Sequence, residues 1–270
     1  MIRAAIRPDG KGIVVPISRG ISRAEDPRAA AIRYRDQINE SIERVLAERA
    51  AAPVAIVTPT QKQFIEAAIQ AQVLRFGEFK LKSGRLSPYF FNMGNFKTGA
   101  DMASVADCYA KTILESKLEF DVIFGPAYKG IPLCASVAAS LARHGHNVEF
   151  AYNRKEAKDH GEGGCIVGSS LKDKRVLVID DVITAGTATR ESVSIIEAEG
   201  GKVIGLIIAL NRQEKGNDCD ISAVQQIEKD YGFPVVSICD LNCLVNYLNQ
   251  GGELSSYLDA IKKYREMYGA

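Results

Sequence analysis

The sequence predicts an α/β fold, with a mainly parallel, twisted sheet carrying helices on both faces. Three observations lead there. After about residue 101, short apolar runs alternate with segments of helical period. One of those runs, Val176-Leu177-Val178-Ile179, is apolar throughout, as a parallel strand covered on both faces requires. Two adjacent carboxylates, Asp180 and Asp181, stand at its end, where open sheets of this class place their ligands.

The elements follow in order. The first 55 residues read as an appendage. Up to Pro27 they are rich in Gly, Pro, Arg and Ser and show no sustained period, which predicts little order. Ile38, Ile42 and Val45 then fall at helical spacing within an Ala-, Arg- and Glu-rich stretch, which predicts a helix over 29–52. Pro53 and Pro59 bracket a break before a domain over 56–270.

Thr60 with Gln63 forms a capping-box pattern ahead of the stripe Phe64, Ile65, Ala68, Ile69 and Val73. Residues 77–92 read as a hairpin turning at Ser83-Gly84. Helices over 101–116, 131–144 and 187–199 then alternate with strands over 121–124, 148–152, 176–179 and 203–210. A strand at 235–238 and two closing helices complete the chain.

Composition excludes several classes. The chain has 270 residues and a net charge of +1, which argues against a general nucleic-acid binder. Residues 1–55 carry ten Lys and Arg against seven Asp and Glu, too mixed for a DNA arm. No apolar stretch is long enough to span a membrane or to serve as a secretion signal. Six cysteines, Cys108, Cys134, Cys165, Cys219, Cys239 and Cys243, lack paired metal spacing and read as free thiols of a reducing, cytoplasmic compartment.

Three segments carry chemistry. Asp180-Asp181-Val182-Ile183-Thr184-Ala185-Gly186-Thr187-Ala188 sets two acids before a loop of small residues opening a helix. Backbone N–H groups and hydroxyls can close around an anion there, and the helix dipole favours negative charge. A capped acidic turn without a ligand is the plainer reading. Phe124-Gly-Pro-Ala-Tyr-Lys-Gly130 lets backbone approach a ligand closely, and Lys129 supplies a point charge suited to phosphate. Residues 153–164 bring Arg154, Lys155, Lys158 and His160 together among glycines 161, 163 and 164. Such a stretch reads as a solvated loop or as a lid that excludes water and supplies charge to a leaving group.

The first of these segments resembles the signature of the type I phosphoribosyltransferases, which use 5-phosphoribosyl-1-pyrophosphate. The stretch Arg154-Lys-Glu-Ala-Lys-Asp-His-Gly-Glu-Gly-Gly164 resembles the catalytic loop of the orotate phosphoribosyltransferases within that family. Phe76-Gly-Glu-Phe-Lys-Leu-Lys-Ser-Gly-Arg85, Ser87-Pro-Tyr-Phe-Phe-Asn92 and Leu210-Asn-Arg-Gln-Glu214 are similar to its amino-terminal hood and late substrate strand. The resemblance covers Thr60 to the carboxyl terminus. Asn211 stands where an Asp often precedes the matching Arg.

The resemblance implies the type I fold with a small hood, transfer of phosphoribose to orotate, and a homodimer whose 154–164 lid acts in the neighbouring subunit. It implies that Lys82, Tyr128, Lys129, Arg154, Lys155, Lys158 and His160 contact the phosphoribosyl pyrophosphate. Asp180 and Asp181 would hold the ribose hydroxyls and, through water, the Mg2+ on the pyrophosphate. Val182, Ile183, Thr184, Ala185, Gly186, Thr187 and Ala188 would take the 5′-phosphate. Phe90, Phe91, Thr184 and Arg212 would hold orotate, with Lys158, His160, Asp180 and Asp181 at the chemistry. The 124–130 loop would face pyrophosphate, a position often marked by a non-proline cis peptide. A transferase for another base and a regulator that binds the cosubstrate without catalysis are the competing readings.

Overall fold

The structure is a computed structural model that describes residues 17, 19–51, 56–81, 83–158, 164–216 and 219–270, with only the backbone at 19, 45–51, 157, 158 and 164. It divides into two compact units, Met1–Ile56 and Val57–Ala270. In the first, α1 spans Pro27–Ala51, and the Ala29 N–H donates to Asp26 Oδ1 at 3.0 Å. Proline's fixed φ suits a first helical turn, so the helix starts earlier than its apolar period does. The expectation of little order before Pro27 lies outside the described residues for 1–16, while Arg19–Ser22 forms a helical turn.

The second unit opens with α2, Pro59–Gln70. Its capping box is Thr58 with Gln61, not the expected Thr60 with Gln63. Pro59 decides this by taking the first helical position, where its missing N–H costs nothing, which leaves Thr58 as the cap. Thr60 is buried instead. The hairpin pairs β1, Leu74–Lys80, with β2, Leu86–Phe91, and its register shifts beside Gly77, whose φ is 148°.

Six strands form the main sheet in the order β5-β4-β3-β6-β7-β8. They are β3 Val122–Gly125, β4 Glu149–Lys158, β5 Gly164–Gly168, β6 Arg175–Asp180, β7 Lys202–Asn211 and β8 Val235–Asp240. All neighbours are parallel except β4 and β5. Alternate residues enter two separate cores: Ile123, Leu177, Ile179 and Ile207 on one face, Val122, Phe124, Val176, Val178 and Leu206 on the other. Both faces are therefore covered, which is why these strands read as unbroken apolar runs.

On the first face lie α2, α3 (Gly99–Ser116), α4 (Gly130–Arg143), α7 (Leu241–Asn249) and α8 (Leu258–Tyr268). On the second lie α5 (Thr187–Ala198) and α6 (Ala223–Tyr231). Helix α6 and strand β5 were not anticipated. Helix α6 carries its own signal, a Ser222–Gln225 capping box. Strand β5 corrects the reading of 153–164 as a loop throughout, since β4 runs on to Lys158 and pairs with β5. Past Tyr152 the residues of β4 are almost all polar, and the apolar run of β5 is only Cys165-Ile166-Val167, so neither the continuation of β4 nor β5 showed a strand's apolar pattern.

Candidate active site

Strand β3 lies between β4 and β6, so the strand order reverses there and opens a crevice at the carboxyl ends. The 125–130 loop, the far end of β4, the 181–186 loop and the 212–216 segment all leave that end of the sheet. The fold thereby gathers the motifs at 124–130, 153–164, 180–188 and 210–214.

Backbone fixes the two acids. The Asp180 carbonyl accepts the Tyr109 hydroxyl at 2.7 Å. Tyr109 is wholly buried, and burial, followed by the charges of Asp181 and Asp180, pushes its phenol well above the ordinary value. It stays protonated and donates. The Asp181 N–H donates to Asp180 Oδ1 at 2.8 Å, and the Val182 N–H donates to Asp181 Oδ1 at 2.7 Å. Burial, then the neighbouring Asp181, push the Asp180 carboxyl up to about 6, against its bond from the Asp181 N–H and the pull of Lys129. Lys129 Nζ stands 3.5 Å from Asp181 Oδ2.

The loop after the acids ends at Gly186, which has φ 74° and caps α5 without any side-chain bond. First-turn N–H groups of α5 therefore have no side-chain cap, and Thr184, Ala185, Thr187 and Ala188 around them are exposed. Val182 and Ile183 are half-buried beneath. A Cβ on Gly186 would lie 2.9 Å from Arg190 Nη1 and 3.1 Å from Ile227 Cδ1. Arg190 also holds the loop, donating to the Ala185 carbonyl at 2.9 Å.

In the 125–130 loop the Ala127–Tyr128 peptide is cis. Gly130 is buried where a Cβ would meet Pro126 Cδ at 2.7 Å, which fixes the loop's tight closure. Tyr128 is exposed, and Lys155 Nζ sits 5.3 Å from its ring centroid. Arg154 and Lys155 thus stand on β4 beside the loop, with Lys158 at the strand's end. Lys82 and His160 lie outside the described residues.

The residues expected to hold orotate are placed less simply. Phe90 and Phe91 alternate on β2 and so point to opposite sides. Phe91 packs against Phe64 in the core, centroids 6.2 Å apart. Phe90 lies 5.5 Å from Phe79, with the Arg75 guanidinium 5.3 Å from both rings. The two rings, both half-buried, therefore lie on opposite sides of the strand. Arg212 donates from Nε to Glu214 Oε1 at 2.8 Å, approaches the same oxygen with Nη2 at 2.6 Å, and covers the Tyr89 ring at 4.7 Å. Burial alone would lower its pKa, but Tyr89 and Glu214 hold it above the ordinary range. Glu214 was not singled out by sequence. Residues two apart on an extended segment share a side, which is the signal that could have found it.

Proteins of known activity decide the family. The chain is 56% identical over 209 residues to the orotate phosphoribosyltransferase of Marinobacter nauticus and 53% identical over 212 residues to that of Salmonella agona. These alignments take in 77% and 78% of this chain and 98% and 99% of the relatives. The chain belongs to the orotate phosphoribosyltransferase family. Residues 93–239 match the phosphoribosyl transferase domain. The crystal structure of the orotate phosphoribosyltransferase from Francisella tularensis superposes with a TM-score of 0.71 at 44% identity, covering 77% of this chain and 99% of that one. The reaction that goes with this family is transfer of the 5-phosphoribosyl group from 5-phosphoribosyl-1-pyrophosphate to orotate in pyrimidine synthesis, a pentosyl transfer.

Proposed function

We propose that the crevice at the reversal of strand order runs this transfer, and that residues 56–270 suffice for it, with 1–55 as an appendage. The observation that carries the reading is the fixed acid pair, Asp180 and Asp181, at the mouth of a helix that no side chain caps. The ribose hydroxyls fall to the acids, and the 5′-phosphate falls to the N–H groups at Thr184, Ala185, Gly186, Thr187 and Ala188. Tyr128, Lys129, Arg154 and Lys155 border the pyrophosphate, joined by Lys158, His160 and Lys82.

The bond between the anomeric carbon and the pyrophosphate oxygen breaks as the orotate ring nitrogen bonds to that carbon, and the proton the nitrogen gives up goes to the departing pyrophosphate. Positive charge grows on the ribose and negative charge on the leaving group. Asp180 and Asp181 face the first, and the lysines face the second. Catalysis is then electrostatic, with no covalent nucleophile from the protein.

Mg2+ fits the donor set as an ion brought by substrate. Among the described residues no three His, Cys, Asp or Glu gather into a metal site, while the Asp pair already draws the Lys129 cation. Bound there, Mg2+ would neutralise the pyrophosphate as its charge develops.

Orotate's carboxylate goes to Arg212, sharing its guanidinium with Glu214, with Phe90 and Phe91 at the end of β2 and Thr184 beside it. Arg212→Ala should raise KM for orotate about tenfold or more with little change for the cosubstrate, followed by the loss of orotate absorbance. Equal rises in both KM values would make Arg212 a purely structural partner of Tyr89 and Glu214. The active unit is a homodimer, with the hairpin of one subunit at the other's crevice. Among the described residues no helix is long and apolar enough to cross a membrane. We assign the enzyme to the cytoplasm, and all six cysteines are free thiols.

A further inference from the structure

Asn153 joins the two loops that handle pyrophosphate. It is only 8% exposed, between the half-buried Tyr152 and Arg154. Its Oδ1 accepts the Ala127 N–H at 2.9 Å, across 26 residues of chain. Its Nδ2 donates to the Arg154 carbonyl at 3.4 Å. Asn153 also pairs with Ile166 at the last regular step of the β4–β5 ladder, and the register shifts between it and Lys158. The amide therefore stands where the sheet ends and the cation-bearing hairpin begins, tied to the loop after β3.

Nothing in strand pairing asks for an amide here. A buried carboxamide is costly unless its hydrogen bonds are made, and a β-branched apolar side chain would fill the position more cheaply. What Asn153 adds is a fixed position for the Ala127 backbone. Its neighbour Tyr128 is exposed, with Lys155 Nζ of β4 5.3 Å from its ring centroid, and Lys129 reaches toward Asp181, so both contacts are made at side-chain tips and neither fixes the loop's backbone directly. The loop has two internal backbone bonds, from Gly130 N–H to the Pro126 carbonyl at 2.9 Å and from Ile131 N–H to the Tyr128 carbonyl at 3.3 Å. Both lie within the loop and the start of α4. The bond to Asn153 ties it laterally to β4.

We propose that Asn153 is a positioning residue for the pyrophosphate end of the cosubstrate. Its carboxamide holds the 126–129 backbone in register with Arg154 and Lys155, so that loop and strand present their donors to one leaving group. This rests on the assignment of the 125–130 loop to pyrophosphate given above.

The test uses the full-length enzyme and two substitutions, Asn153→Val, which fills the position with an apolar side chain that cannot accept the bond, and Asn153→Ser, which stays polar but is too short to reach Ala127. Lys129→Ala serves as a control on the loop itself. Pyrophosphate affinity with Mg2+ is measured by calorimetry, KM is measured for each substrate, and Tm is measured for every variant. Both Asn153 variants should weaken pyrophosphate and raise KM for the cosubstrate about tenfold, equivalent to about 1.4 kcal/mol. KM for orotate should move less than twofold. If Lys129→Ala weakens pyrophosphate while the Asn153 variants do not, the positioning role is overturned and the loop assignment stands. If Lys129→Ala leaves pyrophosphate binding intact, the loop assignment itself fails. A fall in Tm with both KM values rising together, or failure of both variants to fold, would make Asn153 a structural residue only.

Discussion

Asp180 places a charge where the fold resists one. An acid raised to about 6 from 3.8 favours its protonated form in the folded state. Folded protein then binds more protons than unfolded protein between those values, so stability is lost as pH rises through that window. The cost above pH 6 is on the order of 3 kcal/mol at most, from about 1.4 kcal/mol for each pH step of difference. Asp180→Asn should therefore be more stable than the parent at pH 8, and that advantage should vanish near pH 4, although activity is lost. Denaturant midpoints at the two pH values check this, and a pH-independent difference would show that burial is not the cause. The dyad itself was legible in the sequence, because two carboxylates at the end of an apolar strand are an expensive turn. Its elevated pKa was not, since that depends on the burial the tertiary fold imposes.

At the scale of elements, the central apolar strands could be read because both of their faces are covered, whereas local caps were read less well: Pro59 moved the first cap to Thr58, and the Ser222–Gln225 box of α6 went unread. The 153–164 stretch was misjudged for the converse reason. Its first half is the end of β4, paired there with the edge strand β5, and polar side chains conceal a ladder made by backbone. Arg212 and Phe91 show the same limit at the site, since their neighbours Glu214 and Phe64 are set by packing. Helix α5 offers a sharper test of the cradle. Gly186 lies at φ 74°, which costs an L-residue about 1–2 kcal/mol, and a Cβ would crowd Arg190 and Ile227. Gly186→Ala should lower stability by about that amount. It should raise KM for the cosubstrate about tenfold by displacing the first-turn N–H groups, with KM for orotate nearly unchanged. Calorimetric unfolding alongside steady-state kinetics separates the two effects, and an unchanged cosubstrate KM would remove the 5′-phosphate from this cradle.

For the whole molecule, given the proposed homodimer, the question is which subunit would supply the cations. Strand β4 carries Arg154 and Lys155 outward along the edge of the sheet toward Lys158, while the acids and cradle sit two strands away at β6. A donor used as pyrophosphate leaves should act mainly in the transition state. Lys158→Ala should then lower kcat by roughly 10²–10³-fold, the scale of other electrostatic stabilisers, while cosubstrate affinity falls far less. Asp181→Ala should be inactive for a different reason, having lost the ribose carboxylate. If the hairpin crosses between subunits, mixing these two inactive variants must restore activity, because one site in each hybrid dimer combines an intact acid pair with an intact Lys158. At equal mixing about half of the dimers are hybrids and each has one complete site of two, so recovery should approach about a quarter of parental activity. Absence of recovery, with exchange of subunits demonstrated by tagged chains, would mean that each subunit completes its own site and that the dimer has no catalytic role.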